Sequence, residues 1–279
     1  MKTLLTGCNG FLGQELGNLF SKDKRFELIK TNRKTLDVSN EKEVDKFFED
    51  NFIDVVIHTA VKGGKRLDKD SQETYEHNLS MYHNLKKNSN NFGLMIHFGS
   101  GAEFDRSSGV DMVQEEQIYD FFPDDYYGSV KNLIARSITD FNENIYNLRL
   151  FGCFGEKETE SRLIKSCINK IKNNKPIEIH QNKMMDYFYV NDLYRVITFI
   201  VENKEKRLAK DINMCYKNKV DLISIAEMIK NICNAKVDIN LINDQMGLPY
   251  TGDPKRLNSL GIKLDGLEFG IREMCRKLL

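Results

Sequence analysis

Hydrophobic and polar positions alternate in blocks along the first 155 residues, and each block has the length of a strand or a helix. Apolar runs of strand length lie at 2–6, 26–31, 54–60, 93–100 and 145–152. Segments with the three- and four-residue apolar spacing of a helix lie between them, at 11–22, 41–50, 70–88 and 124–141. Strands that alternate with helices predict an α/β fold, a Rossmann-type doubly wound parallel sheet with helices on both faces.

After Gly155 this rhythm changes, and helical spacing dominates. Helices are predicted at 160–174, 191–203, 220–234 and 267–279, with a short strand at 176–180. No internal repeat and no Pro/Ser-rich linker separates the two halves. We therefore expect a first domain of residues 1–157, to which 185–215 return, and a smaller C-terminal α/β lobe formed by 158–184 and 216–279.

Composition and charge narrow the classes of partner. Lys plus Arg and Asp plus Glu both total 41, so no basic excess favours nucleic acid or an anionic membrane surface. No apolar run approaches the ~20 residues of a membrane span. The six cysteines include no CxxC pair, and no histidine cluster has metal-ligand spacing, so reduced thiols, no metal and a cytoplasmic location are expected.

The sequence TGCNGFLG at 6–13 lies where the first strand turns into the first helix. Gly7, Gly10 and Gly13 are spaced three apart. Small residues here let the backbone approach a pyrophosphate, while the helix N-terminus supplies amide donors and a positive dipole. A glycine turn that only packs helix on strand is the alternative, but the flanking strand and helix favour nucleotide binding.

The end of the second strand bears on the choice of cofactor. In dinucleotide-binding folds an acid at this position holds the ribose 2′-hydroxyl, whereas an arginine accommodates a 2′-phosphate. Here Asn32, Arg33 and Lys34 stand in that place. NADP(H) is therefore favoured over NAD(H), with ordinary surface charge as the alternative interpretation.

The stretch DDYYGSVKN at 124–132 places a phenol and an ammonium four residues apart, on one helix face. Lys131 would lower the pKa of Tyr127 from about 10, which makes Tyr127 a candidate proton donor or acceptor. Taken alone, a packing tyrosine and a solvated lysine explain the pair better. Ser100 ends the fourth strand, where ligands gather, although a serine there also caps turns.

Taken in order, these motifs resemble the extended short-chain dehydrogenase/reductase family, which acts mainly on nucleotide sugars. The similar features are the glycine motif, Asp37-Val38, HTA at 58–60, Asn78, Ser100 and Tyr127-x-x-x-Lys131. RLFGCFG at 149–155, DYFYVNDL at 186–193 and the last stretch of the chain continue the likeness. Because it spans nearly the whole chain, it reverses the preference for packing at Tyr127 and Lys131.

The resemblance implies a role for each matching residue. Tyr127 exchanges a proton with a sugar hydroxyl or ketone, Lys131 lowers the pKa of Tyr127 and holds the nicotinamide ribose, and Ser100 hydrogen-bonds the same oxygen. Asp37 contacts the adenine amine. The cofactor-binding residues expected from the resemblance and from the second strand are Gly7, Asn9, Gly10, Phe11, Leu12, Gly13, Asn32, Arg33, Asp37, Val38, Thr59, Ala60, Val61, Asn78, Tyr127 and Lys131.

Departures from the family pattern point to a branch. AVKGGK at 60–65 and GSGAEF at 99–104 resemble GDP-L-fucose synthases, whose epimerising Cys and His are replaced here by Ala102 and Arg162. Neither of these shuttles a proton near neutral pH, so ketone reduction without epimerisation is expected. Dehydratases have an Asp-Glu pair after the catalytic hydroxyl, whereas Gly101 and Ala102 follow Ser100 here, which disfavours dehydration. Glu103, one position further on, weakens this argument without removing it.

The family's diphosphate-contacting arginine is replaced by Met185, and Lys183 or Arg256 are the candidates to substitute for it. The substrate-binding residues expected are Lys62, Ala102, Arg162 and Arg256. The favoured function is NADP(H)-dependent reduction of a nucleotide-activated 4-keto(-6-deoxy) sugar, in surface polysaccharide biosynthesis.

Two other functions stay open. One is a nucleotide-sugar epimerase that uses bound NAD, and the other is a nucleotide-binding sensor with little turnover. A homodimer is also expected, because relatives pair through the Tyr127 helix. The apolar positions that suit this contact, and suit a sheet-facing core equally well, are Leu133, Ile134, Ile138 and Phe141.

Overall fold

The computed structural model of the chain describes residues 1–64, 69–138 and 144–279. Lys65 of the AVKGGK motif, the predicted helical residues 139–141 and the apolar position Phe141 lie outside these ranges. The strands are β1 (Lys2–Thr6), β2 (Glu27–Lys30), β3 (Ile53–His58), β4 (Phe92–Ser100), β5 (Val110–Val113), β6 (Ile145–Leu150), β7 (Cys153–Phe154), β8 (Ile177–Gln181), β9 (Phe188–Tyr189), β10 (Asp211–Met214), β11 (Ile239–Asn243) and β12 (Tyr250–Gly252). The α-helices are α1 (Phe11–Phe20), α2 (Glu41–Asp50), α3 (Gln72–Lys87), α4 (Tyr126–Ile138), α5 (Leu163–Lys172), α6 (Val190–Glu202), α7 (Leu222–Ile232), α8 (Lys255–Ser259) and α9 (Leu267–Leu278).

Six strands form one parallel sheet in the order β10-β6-β4-β3-β1-β2. The order runs outward from β1 in both directions, which is the arrangement of a doubly wound fold. The predicted Rossmann-type α/β class is therefore confirmed. It follows that the carboxyl ends of β1, β3 and β4 lie side by side.

Alternate residues of the central strands bury on opposite faces of the sheet. On β1, Leu5 packs in the cluster that includes α1 and α6, whereas Leu4 packs in the cluster that includes α2, α3 and α4. On β4, Ile96 and Met95 divide in the same way. Since both faces are covered, the strands read as near-continuous apolar runs in the sequence.

The edge strand β10 was not predicted, because Asp211 and Asn213 disfavour a strand by propensity. In the structure both side chains bind the fully buried guanidinium of Arg149 on β6. Arg149 Nη2 donates to Asp211 Oδ2 over 2.7 Å, and Nη1 donates to Asn213 Oδ1 over 2.9 Å. The charge of Arg149 thus accounts for the polar residues of β10.

Three two-stranded parallel pairs, β8 with β11, β5 with β12 and β7 with β9, flank the sheet among the described residues. The pairing of β12 with β5 matters most for the site, because it brings residue 250 to the carboxyl end of β4. The division at residues 157, 185 and 215 stays a prediction.

Candidate active site

The glycine turn between β1 and α1 forms a cradle of bare backbone. Gly7 has φ +68°, and a Cβ there would lie 2.6 Å from Cα of Ala60. A Cβ on Gly13 would lie 2.2 Å from the carbonyl oxygen of Gly7. Gly10 precedes α1, whose first turn contains no acidic residue, and Phe11 is its first residue. These features fit a pyrophosphate held by the amides of a helix N-terminus.

Other predicted cofactor residues line the same region. Asn9 is exposed on the turn, and its carbonyl oxygen accepts a hydrogen bond from Gln14 over 2.8 Å. Leu12 packs partly against the cluster that includes α1 and α6, whereas Val38 is buried in the cluster on the other face of the sheet. Both side chains therefore have packing roles.

The turn after β2 presents Arg33 to solvent. The Arg33 side chain is 74% exposed and its Nε donates to Asp37 Oδ2 over 3.3 Å. Although burial raises the pKa of Asp37, hydrogen bonds from Ser39 and Arg33 hold it below its usual value. Asn32 accepts from the backbone amide of Lys34 over 2.9 Å, which fixes the turn. An exposed guanidinium at this position suits a 2′-phosphate.

The loop after β3 is fastened to α3 by the buried side chain of Asn78. Its Oδ1 accepts from the Lys62 amide over 2.9 Å, and its Nδ2 donates to the Lys62 carbonyl over 2.8 Å. Thr59 Oγ1 donates to the Thr6 carbonyl over 2.6 Å, while Val61 is 51% exposed. Lys62 Nζ pairs with Glu73. Asn78 is thus a structural anchor that positions this loop.

Tyr127 and Ser100 meet at the carboxyl end of β4. The Ser100 hydroxyl lies close enough to the Tyr127 phenol to lower its pKa, and both side chains are half-buried. Tyr127 lies in the first turn of α4, which Asp125 caps by accepting from the Gly128 amide over 2.8 Å. Two predicted catalytic residues are therefore brought together.

The prediction that Lys131 lowers the pKa of Tyr127 is wrong. Burial raises the pKa of Tyr127 above its ordinary value, and the neighbouring Tyr250 adds to the shift. Lys131 instead turns inward, where its Nζ donates to the Phe98 carbonyl over 2.8 Å and lies 3.4 Å from His97 Nε2. Burial lowers the pKa of Lys131 to about 8, although Glu103 opposes the shift.

Two buried histidines, His97 and His58, lie near Lys131. The ring centroids of His97 and His58 are 5.6 Å apart, and His58 Nδ1 forms a 2.8 Å hydrogen bond with Thr6 Oγ1. Burial, with the nearby Lys131, lowers the pKa of His58 to about 3. Burial also lowers the pKa of His97 well below its usual value, so both rings are neutral near pH 7. Sequence reasoning gave no sign of the contact between His97 and Lys131.

The residues that follow Ser100 face the protein interior. Ala102 is 1% exposed, and its amide donates to Ser100 Oγ over 3.2 Å. Glu103 is fully buried, accepts from the Ser100 amide over 2.8 Å and pairs with Arg149. Glu103 therefore joins β4 to β6 through Arg149, and the predicted substrate residue Ala102 lies beneath the surface.

Of the four basic residues considered for substrate binding, Lys62 lies on the loop after β3, and Lys183 and Arg162 lie near Tyr250. Lys183 Nζ is 5.7 Å from the centre of the Tyr250 ring, and Arg162, exposed at the start of α5, acts on the pKa of Tyr250. Arg256 lies elsewhere: it donates to the Asp211 carbonyl over 2.8 Å and pairs with Glu116.

Tyr250 and Gly64 are site residues that sequence reasoning missed. The hydroxyl end of Tyr250 lies against Gly101, close enough to Ser100 for that hydroxyl to act on the pKa of Tyr250. Gly64 lies against the ring of Tyr127. The available signal was a glycine directly after Ser100 and a Gly-Gly pair after Lys62, since glycine marks places of close approach.

A search of the described ranges for three or more clustered metal-ligating side chains found none. In the same ranges, no helix has both the length and the apolar character to cross a membrane.

The parallel sheet, the glycine cradle and the paired Ser100 and Tyr127 define a Rossmann-type dinucleotide-binding protein. The chain belongs to the NAD-dependent epimerase/dehydratase family, whose model matches residues 3–215. No curated protein matches the sequence.

Solved structures share the fold at low sequence identity. A GDP-mannoheptose C4 reductase from Campylobacter jejuni with NADP bound superposes with a TM-score of 0.84 at 21% identity, covering 99% of this chain and 97% of that one. A dTDP-4-dehydrorhamnose reductase from Clostridium acetobutylicum gives 0.82 at 20%, covering 100% and 99%. A GDP-L-fucose synthetase from Naegleria fowleri bound to NADP gives 0.78 at 16%, covering 99% and 91%.

Proposed function

We propose that the chain is an NADP(H)-dependent oxidoreductase that reduces a nucleotide-activated 4-keto(-6-deoxy) sugar to its alcohol. The observation that supports this most is the approach of Tyr127 to Ser100 at the carboxyl end of β4, in the sheet whose first strand leads into the glycine cradle. The three solved proteins compared above are described as reductases or a synthetase of GDP- or dTDP-linked sugars, two of them with NADP bound.

Tyr127 is assigned as the proton donor. Because burial raises its pKa, the phenol is protonated at neutral pH, the form that a ketone reduction consumes. NADPH, when bound, supplies the hydride that the carbonyl carbon receives. The carbonyl oxygen takes the Tyr127 proton and becomes a hydroxyl, while Ser100 donates a hydrogen bond to the same oxygen. Solvent then returns a proton to Tyr127.

The cofactor is assigned to the cradle and the turn after β2. Gly7, Gly10 and Gly13 would hold the pyrophosphate, and Arg33 would contact the 2′-phosphate. Lys131 contacts the Phe98 carbonyl and His97 Nε2, which leaves one of its three protons for the nicotinamide ribose.

Lys183 is proposed as the contact for the substrate diphosphate, in preference to Arg256. Lys183 Nζ lies 5.7 Å from the centre of the Tyr250 ring at the site, whereas Arg256 contacts the carbonyl of Asp211, the first residue of β10. Arg162 and Lys62 are assigned to the surrounding substrate surface.

The same geometry argues against the other reactions of the family. Glu103 is buried against Arg149, so it is not placed to remove a proton from a sugar carbon. Ala102 and Arg162 stand where epimerising relatives have a Cys and a His, and neither is a proton shuttle near neutral pH. Reduction without epimerisation or dehydration follows.

The domain division, the oligomeric state and the location form the rest of the proposal. Residues 1–157 with 185–215 would bind NADP(H), and 158–184 with 216–279 would bind the sugar nucleotide. Leu133 is 38% exposed on α4, which suits a homodimer contact, whereas Ile134 and Ile138 belong to the sheet-facing core. A cytoplasmic location and a role in surface polysaccharide biosynthesis complete the proposal.

Tyr127→Phe tests whether the protein is an enzyme or a sensor. The variant should bind NADPH with wild-type affinity, measured by fluorescence, and lose keto-sugar reduction by at least about a hundredfold. Tyr126→Phe removes the neighbouring, exposed phenol and should leave the rate unchanged. A Tyr127→Phe variant that is as active as wild type would remove the proposed role.

A further inference from the structure

Tyr250 reaches the catalytic site from a remote part of the chain. Strand β12 pairs with β5, and the Tyr250 amide and carbonyl are held by Met184 and Asp186, over 2.9 and 3.2 Å. Its ring packs edge-on against Phe151 with centroids 5.5 Å apart. The phenol is therefore fixed on both its backbone and its ring.

The hydroxyl end of Tyr250 lies against the backbone that follows Ser100. A Cβ on Gly101 would lie 2.8 Å from the Tyr250 oxygen, and 2.5 Å from a ring carbon of Phe151. Only glycine leaves room for the phenol here. The Ser100 hydroxyl therefore lies close to two phenols, Tyr127 and Tyr250, and lowers the pKa of each against the larger effect of burial.

The hydrogen-bonding capacity of Ser100 determines where the proton of its hydroxyl points. A serine hydroxyl has two lone pairs and one proton. The Ala102 amide donates to Ser100 Oγ over 3.2 Å and fills one lone pair. Burial raises the pKa of Tyr250 to about 12, so its phenol is protonated near pH 7 and can donate to the second. The Ser100 proton is then left for the side on which Tyr127 lies.

We propose that Tyr250 is a positioning residue, whose hydroxyl occupies Ser100 Oγ and directs the Ser100 proton toward the reacting oxygen beside Tyr127. The identity of that oxygen rests on the keto-sugar reduction proposed above. The coupling of the three hydroxyls does not, because it depends only on contacts within this chain. Without the Tyr250 hydroxyl, Ser100 has a vacant lone pair, and Tyr127 can donate to it in a non-productive arrangement.

Charged and titratable side chains from several elements face the hydroxyl groups of Ser100, Tyr127 and Tyr250. Those that act on Tyr127 or Tyr250, or lie on the Tyr250 ring, are Asp70, Glu103, Arg106, Arg162 and Lys183. The test therefore compares variants at one pH, where the charges of these groups are common to all of them.

The first arm is a double-mutant cycle with Ser100→Ala and Tyr250→Phe, which keeps the ring against Phe151. Tyr250→Phe should lower kcat about tenfold, leave the KM for NADPH unchanged, and add no further loss in the Ser100→Ala background. Tyr126→Phe is the control for loss of a phenol. Equal losses from Tyr250→Phe with and without Ser100 would overturn the inference, as would no loss at all.

The second arm needs no substrate, so it separates this inference from the proposed function. In protein labelled with ¹³C at the tyrosine Cζ, the Tyr127 resonance is the one absent from Tyr127→Phe. It should move in Tyr250→Phe and in Ser100→Ala, with no further movement in the double variant. If it moves in Ser100→Ala alone, Tyr250 does not act through Ser100. A wild-type protein that reduces no keto sugar would refute the proposed function and leave this arm to decide.

Discussion

Gly64 lies flat against the phenol ring of Tyr127, so close that a Cβ on Gly64 would be 2.6 Å from the Tyr127 Cζ. The Gly64 amide donates to Asp70 Oδ1 over 3.0 Å, which holds the loop in this position. The loop after β3 therefore forms one wall around the proposed proton donor. Its backbone, and not a side chain, makes the contact.

Replacing Gly64 by alanine should lower catalytic activity by more than the accompanying loss of stability explains. The residue has φ +70°, so alanine there costs about 1–2 kcal/mol of left-handed strain, and its methyl group would also displace the Tyr127 ring. We expect kcat/KM for the keto sugar to fall at least about tenfold. Steady-state kinetics and urea unfolding check the two effects separately.

Gly261→Ala is the matched control for this substitution. Gly261 has φ +67° and nothing within 4 Å of an added Cβ, so it shares the strain without the collision. It should lose the same 1–2 kcal/mol and keep wild-type activity. Equal activity in the two variants would show that the loop does not shape the site.

The buried ammonium of Lys131 predicts a pH-dependent stability difference. Its folded-state pKa is lowered from 10.5 to about 8 by burial, so the folded chain releases this proton before the unfolded chain does. The resulting penalty is fully present below about pH 8 and disappears as the pH rises through the unfolded value. Lys131→Met removes the penalty at every pH.

The free energy of unfolding of Lys131→Met, minus that of wild type, should therefore fall by about 3 kcal/mol between pH 7 and pH 10.5. Chemical denaturation of the ligand-free proteins at the two pH values measures it. Lys22→Met, at an exposed position, controls for loss of a lysine. A difference that does not change with pH would mean that the ammonium is hydrated.

Arg149 should be among the most sensitive positions for stability. Its guanidinium has no exposed surface and binds Glu103 and Asp211, which are themselves buried. Arg149→Met leaves both carboxylates without their cation, at a cost of about 3–5 kcal/mol in unfolding free energy.

The control is an exposed pair of the same chemistry. Arg272 and Glu268 are 58% and 62% exposed, so Arg272→Met should change stability by no more than about 0.5 kcal/mol. Thermal or urea unfolding distinguishes the two. Similar small effects at both positions would contradict the buried network.

Arg33→Ala should change cofactor preference. If its exposed guanidinium binds the 2′-phosphate, the Kd for NADPH should rise about ten- to a hundredfold, because charge-assisted hydrogen bonds are lost. The Kd for NADH should stay constant. Lys217→Ala, an exposed charge after β10 on the opposite edge of the sheet, should change neither. An equal rise in Kd for both cofactors would mean that Arg33 contributes only general positive charge and does not bind the 2′-phosphate.

The central sheet was predictable from the sequence because its strands are buried on both faces and its helices are amphipathic. The Rossmann-type class, the glycine turn and the approach of Ser100 to Tyr127 follow from that alternation. β10 was not predicted because its polar residues bind Arg149, which lies on another strand. The hydrophobic pattern within one segment carries no information about a partner on another strand.

The remaining differences at the site have the same origin. Tyr250 is 150 residues from Ser100 in sequence, and only the pairing of β12 with β5 brings it there. Helical spacing put Lys131 on the face of Tyr127, but the carbonyl of Phe98 on β4 fixes its ammonium. Spacing within one helix therefore predicted which residues gather, and contacts between elements decide their protonation.

The most direct test of the central claim is the stoichiometry of NADPH oxidation with GDP- and dTDP-linked 4-keto-6-deoxy sugars. A keto-sugar reductase gives a fall in absorbance at the nicotinamide band matched by one equivalent of reduced sugar, and Tyr127→Phe gives no fall. No fall with any keto sugar, together with a plain nucleotide sugar that changes configuration without net use of cofactor, would contradict the reductase and establish an epimerase.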